Sequence, residues 1–304
     1  MAGLDLVCWG EMKIHAYRIV PRGNITLDAV LEHLSALSLQ QRLRTVSDVQ
    51  MRLEEGVKQN NGWLLDFGMI RHDGPGRASA TTPIADFDLQ DDEGFGQETA
   101  AYFDPGTGFM TLQYNHYGPR QGRIQSYLYR FACALAGETE ADELPEARNG
   151  FTLVPVLKAE AANRLDRMGI VKNVEISFFV PGIVAQQGNT RQSLGSLLNM
   201  PLLGGAENVR IQVSASRGRA GSLIVNHVRQ AVTDLLGLRE NVAQLSVVAK
   251  ETEDSPNEAV DFLEARLRAD IPVPLGAGRR YGRDARLQAL RQAFETWRAN
   301  GQLR

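Results

Sequence analysis

The sequence predicts an α+β protein with mixed or antiparallel sheets, flanking helices and two subdomains. Three observations carry this. Apolar residues alternate with polar ones in two paired runs, at 49–70 and 97–117, each interrupted by turn-forming residues, which is the signature of hairpins. Segments with helical 3–4 spacing lie among the strands without a strict strand–helix rhythm in the first half. Residues 137–150 (GETEADELPEARNG) are acidic, turn-rich and poor in apolar side chains, and divide the chain into an N-terminal α+β domain with hairpins, 1–145, and a C-terminal α+β domain, 146–304.

Residues 4–20, with Val7, Trp9, Ile14, Tyr17 and Ile19, read as one or two strands. Thr26 can cap a short helix through Ala36, whose Leu27, Val30, Leu31 and Leu34 recur at helical spacing. In the first hairpin, Asn61-Gly62 supplies residues that tolerate positive φ at a tight turn. Residues 72–96 read as loop. The second hairpin turns at Asp104-Pro105-Gly106-Thr107-Gly108, and its outgoing strand ends in Tyr114-Asn115-His116-Tyr117. These aromatics are expected to finish a half-buried sheet edge, although Tyr114 and His116 could also stack on bases.

A helix follows at about 121–136 with Ile124, Tyr127, Leu128, Phe131 and Leu135 on one face. Beyond the acidic stretch come a strand at 151–157, a helix at 158–168 and a strand at 171–180. A helix carrying Leu194, Leu197 and Leu198 precedes Pro201, and a strand at 208–215 leads through SRGRAGS into a helix at about 221–236. A strand at 243–250 follows. Ser255-Pro256-Asn257-Glu258 has the form of a capping box with proline at the first helical position, so a helix is expected to start there. The two prolines of 270–275 (DIPVPL) fit an edge strand. A helix at 283–299, with Leu287, Leu290, Phe294 and Trp297 as its apolar stripe, ends the pattern.

At 304 residues and 43% hydrophobic, the chain can bury a sizeable core. Its net charge of −3 argues against a uniformly basic nucleic-acid coat but leaves room for a local basic face. The two cysteines, Cys8 and Cys133, have no CxxC spacing and read as buried thiols. No secretory pattern opens the sequence and no run approaches 18 apolar residues, so a cytoplasmic setting is expected.

Catalytic signatures are absent: there is no Walker A, GxSxG, GxGxxG, HExxH or HxxxH pattern. Asp86, Asp88, Asp91, Asp92 and Glu93 could gather a cation, but Asp91 occupies the position where an EF-hand loop needs glycine, and a solvated acidic loop is the simpler reading. Glu11-Met12-Lys13 is an E-x-K of the kind nucleases use, yet its nearest acidic neighbour, Asp5, lies in the same short segment. No catalytic residue, cofactor or metal is therefore expected.

Positive charge concentrates in two segments. Between Arg210 and Arg229 stand Arg210, Arg217, Arg219 and Arg229, with no acid among them, for a net +4. Here a strand empties through a small-residue loop into a helix start, where free N–H groups and the helix dipole favour an anion and Ser222 offers a hydroxyl. From Arg279 to Arg304 seven arginines face two acids, for a net +5, with Arg279, Arg280 and Arg283 leading the helix. Guanidinium matches phosphate geometry. The candidate phosphate contacts are thus Arg210, Arg217, Arg219, Ser222, Arg229, Arg279, Arg280 and Arg283. The plainer alternative is that these are solvated arginines on ordinary connections.

Several stretches together resemble a known family: Trp63 on a hairpin strand, DDEGFG at 91–96, the strand pair TAAYFDPGTGFMTLQYNHYGP, a helix containing SYL, and GFTLVPVL followed by a helix and NVEISFFVP. They are similar to the RexA-like phage-exclusion and antiphage-defence proteins, over roughly residues 60–236. The resemblance implies a cytoplasmic homodimer with a fold related to the recombination-associated protein RdgC. It also implies DNA binding without strong sequence preference, as the sensor of an abortive-infection pair that signals to a membrane or other effector partner. The family supplies no motif that assigns contact residues, so the arginines rest on charge and position alone. A metal-dependent nuclease and a protein-binding adaptor without nucleic acid are the alternatives.

Overall fold

A computed structural model describes residues 9–46, 48–90, 93–138, 149–179, 208–237, 242–276 and 280–303. The α+β class is as expected, and every strand pair is antiparallel. The described elements are β1 (Trp9–Arg22), α1 (Leu27–Ala36), α2 (Leu39–Arg42), β2 (Arg44–Val46), β3 (Val49–Gln59), β4 (Gly62–Arg71), β5 (Phe95–Asp104), β6 (Phe109–Gln113) and α3 (Gln121–Leu135). There follow β7 (Gly150–Pro155), α4 (Ala159–Arg167), β8 (Ile170–Phe179), β9 (Asn208–Ser214), α5 (Val225–Gly237), β10 (Val242–Lys250), β11 (Glu258–Asp261), β12 (Arg268–Pro274) and α6 (Arg283–Ala299).

Eight strands form the larger sheet, in the order β12-β1-β6-β5-β4-β3-β2, with β7 also paired to β1. The 14-residue β1 is its organiser: residues 9–15 pair with β12, 14–18 with β6 and 17–22 with β7. Side chains alternate between the two sheet faces. Tyr17 and Ile19 enter a core with Leu65, Phe67 and Leu112, covered by Val30, Leu31 and Leu34 of α1 and Ile124, Tyr127, Leu128 and Phe131 of α3. Met12, Ile14 and Ala16 point the other way, into a second core closed by Leu287, Leu290, Phe294 and Trp297 of α6. The three helical stripes match their sequence pattern, except that Leu135 stays exposed at the end of α3.

The smaller sheet, β11-β10-β8-β9, lies wholly within 170–261 and has its own core with Val228, Val232, Leu235 and Leu236 of α5 and Ala161 of α4. Strands from both sides of the 145/146 division share the larger sheet, because β7 and β12 each pair with β1. As its prolines suggested, β12 is an edge strand.

Several local expectations are corrected. The first hairpin turns at Asn60 and Asn61, both at positive φ (51° and 64°), and Gly62 already belongs to β4. Two asparagines in the left-handed region make the turn; Gly62 is needed because a Cβ there would run into the Tyr102 ring and hydroxyl. Ser255 starts no helix. Its hydroxyl turns back to the hydroxyl and backbone N–H of Thr252, and 258–261 forms β11, with Val260 buried opposite Val247. Of the three aromatics at the end of β6, Tyr114 is half-buried and its N–H donates to Lys13 O at 2.7 Å, but His116 is exposed and Tyr117 is 63% exposed, so these two do not finish a buried edge. The helix expected around Leu194, Leu197 and Leu198, and positions Cys8, Asp91, Asp92, Arg279 and Arg304, lie outside the described residues.

Candidate nucleic-acid interface

The start of α6 is pinned to the larger sheet by charge. Arg283 and Arg286 share one helix face, opposite carboxylates from three neighbouring strands. Arg286 is 2% exposed and grips Asp66 of β4 with both terminal nitrogens: Nη1 donates to Oδ1 at 3.2 Å and Nη2 to Oδ2 at 2.8 Å. Its Nη2 also lies 3.2 Å from Oε1 of Glu98 on β5, to which Arg280 Nη2 donates at 2.7 Å. Arg283 pairs with Glu55 of β3 and has its Nε 3.9 Å from Asp66 Oδ2. The charges therefore alternate as Glu55, Arg283, Asp66, Arg286, Glu98, Arg280, with no net charge. Burial pushes the Asp66 carboxyl up to about 6 against the pull of Arg286, and the nearby Glu98 and Glu54 charges push the same way.

Beside this ladder is a cavity of about 360 Å³, between the starts of β1 and β5, the end of β6, and residues 280–281. Gln113 stands in its wall, 6% exposed, with Oε1 accepting from the Ala100 backbone N–H at 3.2 Å. Tyr281 forms another wall. Its hydroxyl donates to the Glu11 carbonyl at 3.0 Å, and a Cβ on Gly10 would come within 2.7 Å of that hydroxyl, so the ring lies directly on the Gly10 backbone. Glu11 and Lys13 also border the cavity, together with Glu98. With Met12 buried under α6, however, strand alternation turns the two E-x-K side chains to the opposite sheet face from Glu98. The sequence pair and the acid that would complete it do not converge.

On that opposite face, around the end of β6, aromatic and cationic groups cluster. Tyr114 stacks on His15 with centroids 5.4 Å apart. Lys13 Nζ lies 5.9 Å and the Arg120 guanidinium 5.6 Å from the Tyr114 ring centre. Arg120 Nη2 also meets His116 Nδ1 at 3.0 Å, and His116 packs edge-on against Tyr117 at 5.0 Å. Neither Lys13 nor Arg120 forms an ion pair among the described residues. Arg120 is also the N-cap position of α3, which has neither a side-chain cap nor an acid in its first turn, so the partial positive charge of that helix end is added to the same corner.

A family model described as a family of unknown function (DUF6731) matches residues 20–294. The chain belongs to the DUF6731 family. No curated protein matches it.

In this DUF6731 chain the arginines singled out by charge are mostly engaged by their own protein. Arg210 pairs with Glu175 at 2.5 Å, Arg280 with Glu98 and Arg283 with Glu55. Arg229 donates to the carbonyls of Leu165, Asp166 and Met168, capping the end of α4. Ser222 accepts from the Val171 N–H at 2.9 Å and donates to the Leu223 carbonyl at 2.7 Å, and α5 begins only at Val225. The loop between β9 and α5 turns the carbonyls of Gly218, Arg219 and Gly221 onto the Lys172 ammonium. That is the opposite polarity from an anion cradle. Arg217 and Arg219 remain exposed.

The corner around Tyr114 does not show as a cation cluster in the sequence because Lys13 and Arg120 lie 107 positions apart. One signal was legible: from Pro105 to Gly137 the DUF6731 chain contains no Asp or Glu, while Arg120, Arg123 and Arg130 fall within that run. Among the described residues no helix is long and apolar enough to cross a membrane.

Proposed function

We propose that this protein is a non-enzymatic, largely sequence-non-specific nucleic-acid-binding sensor, and that its contact surface is the corner at the end of β6 rather than the two arginine-rich segments. One observation supports this above the others: Lys13 and Arg120 flank Tyr114 without carboxylate partners among the described residues, beside the exposed His116 and Tyr117. Unpaired cations suit phosphates, and exposed aromatic faces suit bases of any sequence. The antiphage role, the cytoplasmic setting and an effector partner follow from the resemblance to RexA-like proteins, and a homodimer would offer two such corners to one strand.

The test is fluorescence anisotropy with a labelled oligonucleotide at low salt. Binding is expected to weaken steeply as salt rises, since each neutralised phosphate releases counterion. Lys13→Glu/Arg120→Glu should reduce affinity at least tenfold. Arg217→Glu/Arg219→Glu should change it by much less. The reading fails if no oligonucleotide binds at low salt, or if the corner variant binds as the unmodified protein does.

A further inference from the structure

The cavity beside the charge ladder lies just across the end of β6 from the corner, and residues 114–116 border it. Its volume, about 360 Å³, falls in the range of small-molecule sites, roughly 300–1,000 Å³. Its arginines, Arg280 and Arg286, are already matched by Glu98 and Asp66, and strand alternation turns the Lys13 side chain to the opposite sheet face. What it offers is neutral or half-used. Gln113 spends its carbonyl on Ala100, and its amide N–H groups have no partner among the described residues although the side chain is 94% buried by its 6% exposure. Glu98 receives both Arg280 and Arg286 on Oε1, which leaves Oε2 open. Glu98 lies two residues before Ala100 on β5, and Glu98 and Gln113 both line the cavity. The Tyr281 ring supplies an aromatic wall.

A donor beside an acceptor, next to an aromatic ring, matches the edge of a base in which a ring N–H adjoins a carbonyl. Thymine, uracil and guanine have that edge; cytosine and adenine do not. Such an edge is exposed only when the base is unpaired. Resting on the nucleic-acid reading above, we infer that the cavity captures one unpaired keto base from a strand whose phosphates lie on the Lys13–Arg120 corner. The preferred ligand is therefore single-stranded and rich in thymine, uracil or guanine. Glu98 Oε2 accepts from the ring N–H, the Gln113 amide donates to the adjoining carbonyl, and the ring stacks on Tyr281.

The experiment compares labelled oligo(dT), oligo(dC) and a mixed-sequence blunt duplex of equal length, by anisotropy at one low salt concentration. Oligo(dT) should bind about tenfold more tightly than oligo(dC), the size of one good base contact, and more tightly than the duplex. Gln113→Glu keeps the acceptor for Ala100 but removes the amide donor, and should erase the dT preference, so that oligo(dT) and oligo(dC) bind this variant equally. Tyr281→Ala, which leaves both polar groups in place, should lower oligo(dT) affinity and spare duplex binding. Equal binding of oligo(dT), oligo(dC) and duplex overturns the base-capture proposal and leaves the nucleic-acid reading standing. Failure of all three to bind overturns both.

Discussion

Asp66 is the residue whose environment departs furthest from that of a surface carboxylate. It is buried, shared between Arg286 and Arg283, and within reach of the Glu98 and Glu54 charges. Because its carboxyl is pushed up from 3.8 to about 6, the folded chain holds this proton more tightly than the unfolded chain does. Between about pH 4 and 6 the native state therefore carries the extra proton, and this group's contribution to stability falls as pH rises through that window and is constant above it. The shift corresponds to roughly 3 kcal/mol, at about 1.4 kcal/mol per pH unit. Asp66→Asn keeps the shape and cannot titrate. The difference in unfolding free energy between the unmodified chain and D66N, from urea melts at pH 4, 5, 6 and 7, should be level from 6 to 7 and should shift in favour of the unmodified chain on acidification to 4. A difference that is flat across the whole range would show that burial does not hold the proton.

At the scale of elements, two threonine- and serine-led starts look alike in sequence and differ in the fold. Thr26 caps α1, accepting from the Ala29 N–H at 3.2 Å, and Thr26→Ala should cost about 1 kcal/mol in a denaturant melt. Ser255 caps nothing, so Ser255→Ala should cost well under half of that. Where a helix carries its own apolar stripe, as α1, α3 and α6 do, local pattern and tertiary packing agree. At 255–261 they conflict: the capping motif favours a helix, but pairing with β10 buries Val260 and is followed by Phe262, which is fully buried. A ladder formed with a strand several residues upstream outweighs one cap. The candidate site was less legible for a related reason. A guanidinium is visible in sequence but its partner is not: Arg280, Arg283 and Arg210 find carboxylates that lie 182, 228 and 35 positions away. Lys13 and Arg120, which have no such partner among the described residues, come together because β1 and the end of β6 are neighbours.

At the scale of the whole molecule, the smaller sheet is an excursion from one edge of β1. The chain leaves by β7 and returns by β12, and the two connections run side by side: Val156 N–H donates to Ala16 O at 2.9 Å, Leu267 N–H to Val156 O at 2.7 Å and Lys158 N–H to Ala265 O at 2.8 Å. The acidic 137–150 stretch marks only the connection from α3 to β7. Sheet membership is fixed by pairing with β1, which no local composition records. Since Lys158 and Ala265 are already hydrogen-bonded neighbours, a short Gly/Ser loop can join them in place of residues 159–264. The larger sheet, both helical layers, the charge ladder, the cavity and the Lys13–Arg120 corner all lie outside the excised segment. The shortened chain should therefore unfold in one cooperative transition and bind oligo(dT) within a few-fold of the full chain, although α5 packs against β7 and its loss should lower the melting temperature. A shortened chain that folds but no longer binds would move the interface to the smaller sheet, where Arg217 and Arg219 are exposed. One that does not fold would show that the α5–β7 contact makes the two cores a single cooperative unit.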